Sequence, residues 1–97
     1  MSNLKTKPWD AVDHLKTEED MAAYLEAALE EDDPELISAV LGDIARAKGL
    51  SEVADRSGLS PEELSQKMLP DGKPDFATVL KIVRALGLRF HATTATG

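Results

Sequence analysis

Apolar residues recur at spacings of three and four in three separate stretches of the chain, and each stretch predicts one helix. Met21, Tyr24, Leu25, Ala28 and Leu29 form the first stripe. Thr17 precedes it as a cap for free backbone amides, and Glu18, Glu19 and Asp20 suit the positive end of the helix dipole. This helix is expected to end near Asp32. Asp33-Pro34 then signals a restart, with Asp33 as N-cap and proline at the first helical position. Leu36, Ile37, Val40, Leu41, Ile44 and Ala45 make the second stripe, Arg46 and Lys48 favour its negative end, and Gly49 stops it.

The stretch LSEVADRSGLSPEELSQKML that follows reads as two short helices joined by a tight turn. Ser51 is expected to cap the first, with Val53 and Ala54 inward, and Gly58 supplies the left-handed conformation that a sharp reversal needs. Ser60 caps the second, with Pro61 at its first position, Glu63 completing a capping box, and Leu64 and Met68 as anchors. Small Ala54 and the Gly58-Leu59 turn fit a helix-turn-helix unit, which favours DNA reading over a plain helical hairpin. LPDGKPD reads as a loop. Asp75 caps a last helix with Phe76, Val79, Leu80, Val83 and Leu86 inward, ended by Gly87. Leu88, Phe90 and Ala92 then alternate with Arg89 and His91, the period of a short strand. Such a strand would pair with its copy in a second subunit or with a partner's sheet edge; an extended tail is the other reading.

The 97 residues suffice for one compact domain, and 42% apolar with 30% charged residues is the balance of an ordinary globular chain. Residues 1–16 read as an N-terminal acidic segment, 17–92 as the helix-turn-helix domain and 93–97 as a disordered tail. Net charge is −7, and all of it lies in residues 1–34, where three lysines face ten acids; residues 35–97 balance eight basic against eight acidic side chains. Such a front is repelled by DNA and attracted to a basic protein, or else serves only as a solvated face. No apolar run reaches the roughly 18 residues of a membrane span, and the opening residues lack the apolar stretch of a signal peptide, so a cytoplasmic location without membrane contact is expected. The absence of cysteine excludes disulfides and thiolate chemistry. An enzyme is disfavoured: His14 and His91 stand at opposite ends, there is no glycine-rich phosphate loop, and no His/Asp/Glu cluster has metal-ligand spacing, so neither metal nor cofactor is expected.

The run VLGDIARAKG at 40–49, the upstream AYLEAALEEDDPELI at 23–37 and the downstream PDGKPDFATVLKIVRALGLRFH at 70–91 together resemble the addiction-module antidote proteins. These are helix-turn-helix antitoxins of the Xre or lambda-repressor-like type, encoded beside small toxins with a RelE/ParE-like fold. The resemblance spans about residues 9–91. It implies an all-α, five-helix lambda-repressor-like domain with a short C-terminal β-strand, a homodimer that represses its own operon, and neutralisation of a toxin that acts on messenger RNA. One departure concerns the recognition helix. The family often has a basic residue after the capping serine and an aromatic residue a turn later, where this chain has Pro61 and Ser65. Arginine-to-guanine readout is therefore lost at that point, and Glu62 and Glu63 add charge that phosphates repel.

On this reading Ser60, Glu62, Glu63 and Gln66 approach the bases of double-stranded operator DNA, with Gln66 the best match to adenine, while Arg56, Lys67 and Lys73 hold phosphates. The acidic front is the expected surface for a basic toxin, with Trp9, Leu15 or Tyr24 as apolar anchors. Leu88 and Phe90 are the candidates for dimerisation. A stand-alone helix-turn-helix repressor without a toxin is the alternative that these residues leave open.

Overall fold

The computed structural model describes residues 11–68 and 73–95. Among them are a 3-10 turn (Ala11–His14) and five α-helices: α1 (Glu18–Glu30), α2 (Pro34–Lys48), α3 (Leu50–Ser57), α4 (Pro61–Lys67) and α5 (Phe76–Ala85). The described residues contain no β-strand, so the strand expected at Leu88 to Ala92 is not formed; residues 88–95 run without regular hydrogen bonding. The physical reason is that an alternating pattern alone supplies no ladder partner, and an isolated strand leaves its backbone groups to water.

The helix starts follow the capping chemistry. Thr17 accepts from the Asp20 amide at 3.1 Å while the Asp20 carboxylate accepts from the Thr17 amide at 3.2 Å, a reciprocal box at the head of α1. Asp33 accepts from Glu35 and Leu36 at the head of α2, and Asp75 from Thr78 at the head of α5. Ser51, by contrast, is not a cap. The third helix begins two residues earlier than a Ser51 cap would place it, at Leu50, because Gly49 at φ 113 ends α2 and opens α3 at once, with no side-chain cap at all. The chain thus turns on a single residue, and Ser51 is carried into the first turn of α3.

α2 is the central rod, packed against the 3-10 turn, α1 and α3, while α3 in turn packs on α4 and α5. Leu41, Ile44, Leu64, Ile82, Leu86, Val40, Val53 and Val83 are its fully buried side chains, drawn from every helix except α1. Met21, Leu25 and Ala28 add the inner face of α1, and the core reaches back to Leu15, within the N-terminal segment. Each stripe is narrower than its spacing predicts. Leu29, Leu36 and Leu80 lie at its edges and are partly exposed, and Phe76, expected inward, is 69% exposed. Its helix position explains this: Phe76 is the first residue of α5, and helical side chains lean toward the N-terminus, so its ring points past the end of the rod instead of onto the core.

Candidate nucleic-acid and protein-binding surfaces

α3 and α4 are joined by Gly58, Leu59 and Ser60. Gly58 takes the left-handed conformation (φ 80), and its amide and that of Leu59 both donate to the Ala54 carbonyl, at 3.0 and 3.2 Å. Ser57, buried, donates to the same carbonyl, so the turn satisfies its own polar groups. Leu64 is wholly buried and Met68 nearly so, which pins one side of α4 against the core. The other side is open: Pro61, Glu62, Ser65 and Gln66 are exposed and line one shallow surface.

The candidate DNA-contacting side chains divide by their existing engagements. Ser60 accepts from the Glu63 amide and Glu63 accepts from the Ser60 amide, both at 3.1 Å, so both are used in starting α4. Glu62 and Gln66 have no such engagement. Arg56 pairs with Glu52 at 2.9 Å across one turn of α3. Lys67 is half-buried and close enough to Asp75 to help hold that carboxyl below its usual range, although hydrogen bonds from the Thr78 side chain and amide are the main cause. Lys73 is exposed at the rim of a different cleft, with Asp32, Asp33 and Glu35 among its other lining residues. Of these three cations, Arg56 alone is held in an ion pair among the described residues.

The acidic surface is better defined than its sequence boundary. Residues 17–34 hold eight acids and no lysine or arginine, whereas residues 1–16 carry three lysines against two aspartates. The charge thus belongs to α1 and the turn after it, not to the segment before. Asp20 and Asp33 are spent on caps, and Glu18 accepts from Lys48 at 2.7 Å. That hydrogen bond, followed by the attraction of the Lys48 charge and more weakly of Arg56, lowers the Glu18 pKa. Glu19, Glu26, Glu30 and Glu31 remain exposed, without an ion pair among the described residues.

The proposed apolar anchors do not share one surface. Leu15 is packed in the core and Tyr24 is half-buried, its hydroxyl donating to Asp43 at 2.7 Å, while Asp43 also pairs with Arg46. Trp9 lies outside the described residues. Leu88 packs against the core, and Phe90, 36% exposed, lines a cleft with Leu25 and Leu29 of α1.

Residues 5–94 match the family described as "Probable addiction module antidote protein". The chain belongs to this family. It is also 45% identical over 85 residues, 88% of each chain, to an uncharacterised protein of Haemophilus influenzae (strain Rd). No solved structure matches. Among the described residues no group of three His, Asp or Glu side chains could hold a metal ion, and no helix is long and apolar enough to cross a membrane.

Proposed function

We propose that this addiction-module antidote is an antitoxin that captures a small basic toxin of the RelE/ParE-like kind on the acidic face of α1, and that it binds operator DNA through α4 to repress its own operon. The observation that carries the toxin half is the exposed, uncompensated band of Glu19, Glu26, Glu30 and Glu31 along a rigid, well-capped helix. A toxin that cleaves RNA presents a positive groove to its substrate, and an acidic band matches that groove in charge. The test is co-expression. The chain is expected to rescue growth from the basic protein encoded beside it and to co-purify with it, and replacing Glu26, Glu30 and Glu31 by glutamine should weaken both; rescue and co-purification that stay unchanged would overturn the assignment of this face.

The DNA half rests on the open outer side of α4 between a buried Leu64 and the Gly58 turn. Gln66, exposed and unengaged, supplies the hydrogen-bonding side chain, and Lys67 the phosphate contact. With Ser60 and Glu63 committed to the cap and Arg56 to Glu52, readout is confined to Glu62 and Gln66, which makes the affinity of one copy low. Lys67→Ala is expected to reduce operator affinity and to lower the salt slope by about one unit in an anisotropy titration. An unchanged slope would remove Lys67 from the interface.

A further inference from the structure

Among the described residues, the two that hold left-handed backbone without being glycine are Asp32 at φ 55 and Lys73 at φ 49, and both line the same cleft. Such backbone costs stability, and it gathers where a surface is built for use. The cleft encloses about 760 Å³, with apolar walls from Ile37 and Leu41 of α2, Val79 of α5 and Pro74 just before α5. Its rim sets the carboxylates of Asp32, Asp33 and Glu35 against the one ammonium of Lys73, so the rim is net negative. Asp33 is engaged as a helix cap, whereas Asp32 and Glu35 are exposed and in no ion pair among the described residues. Phe76 stands between Pro74 and Val79 in the chain, one helical turn from Val79, and its ring is 69% exposed.

We propose that this cleft, with Phe76 at its side, is the apolar anchor site for the basic partner, and that it receives a segment in which an apolar side chain is flanked by Lys or Arg. The proposal rests on the toxin reading of α1 and supplies the anchor which that face lacks, since Leu15 is packed in the core and Tyr24 is half-buried with its hydroxyl held by Asp43. The occupant follows from charge. A second copy of the chain would set the net negative rim against itself, and DNA would bring phosphates to it. A basic segment with an apolar side chain satisfies the rim and the walls together. Position agrees: exposed Glu30 and Glu31 at the end of α1 run directly into Asp32 and Asp33, so the acidic band leads to the cleft. The band steers the partner in, and the cleft slows its release.

The test measures association and dissociation rates of the full chain with the basic protein encoded beside it. Far-UV circular dichroism checks folding, and sedimentation equilibrium follows the chain alone. All the altered side chains are exposed, so the helical signal should be kept. Phe76→Ser is expected to raise the dissociation constant by about tenfold or more, through faster release. Asp32→Asn with Glu35→Gln should weaken binding by about threefold at low salt and less at high salt. Lys73→Asn should tighten it, because the only cation of the rim is removed. Asparagine suits both left-handed positions, so these two changes alter charge without adding backbone strain. If Phe76→Ser leaves release unchanged while glutamine at Glu26, Glu30 and Glu31 still slows association, this inference fails and the toxin reading of α1 stands. A parent chain that does not bind the basic protein overturns both. Weaker binding by Lys73→Asn would assign the cleft to an anionic occupant. Loss of self-association by Phe76→Ser, with its hold on the basic protein intact, would assign the cleft to a second copy; either result overturns the proposal.

Discussion

Ser60 and Glu63 show how a side chain that points toward a functional surface can be absorbed by local structure. Each satisfies the other's backbone amide at the head of α4, and a helix of seven residues has few other means of holding its first turn. Ser60→Ala is expected to cost about 1 kcal/mol of stability in urea denaturation. If Ser60 read a base instead, the substitution would alter operator preference at constant stability. Glu18 makes a second local contribution, and its sign follows from the lowered pKa. A carboxylate whose folded value is depressed stabilises the fold at and above its unfolded value, and that stabilisation is lost as pH falls through the folded value. Stability of the native chain should therefore decline on acidification below the usual carboxylate range. Glu18→Gln should decline less steeply, Asp75 still contributing in the same direction. Parallel pH profiles of the two chains would exclude a role for the Glu18–Lys48 pair. The effect is modest, because the carboxylate is exposed.

The short helices depend on what they pack against more than on their own propensity. α3 and α4 have eight and seven residues, below the length at which an isolated helix persists in water. Val53 and Leu64, both fully buried, and the turn at Gly58 hold them in place. Leu64→Ala is expected to cost about 2–5 kcal/mol and to release α4, so that the proposed DNA binding would fail together with the fold of that region. Gly58→Ala separates the turn from the packing. A Cβ there meets nothing within 4 Å, so the whole cost is the left-handed backbone, on the order of 1 kcal/mol, read as a lower midpoint with an unchanged slope in denaturant. A larger loss would point to rearrangement of α4 against α3.

Taken as one body, the chain segregates its charge: the acidic band follows α1 and the turn into α2, and the remaining sequence carries a small net positive charge. Such a distribution speeds encounter with a basic partner and makes the rate sensitive to salt. The association rate with a basic toxin should fall steeply as ionic strength rises. In the variant with Glu26, Glu30 and Glu31 replaced by glutamine, both the rate at low salt and its salt dependence should be reduced, with little change in folding stability. Stopped-flow fluorescence at several salt concentrations distinguishes this from a loss of apolar anchoring, which would appear in the dissociation rate.

Helix boundaries other than the start of α3 were legible from local chemistry, because caps and breakers act within a few residues of themselves. Thr17, Asp33, Ser60 and Asp75 start helices as their side chains dictate, and Gly58 reverses the chain where a left-handed residue was needed. Where a second element must answer, local chemistry was silent. The alternation at Leu88 to Ala92 named a strand but no partner for it, and the chain supplies none among the described residues. The spacing of Phe76 with Val79, Leu80 and Val83 set a common stripe, yet Val83 is buried while Phe76, two turns earlier at the first position of α5, lies beyond the reach of the core. Periodicity specifies which side chains share a face; only packing specifies how far along that face the rest of the molecule extends.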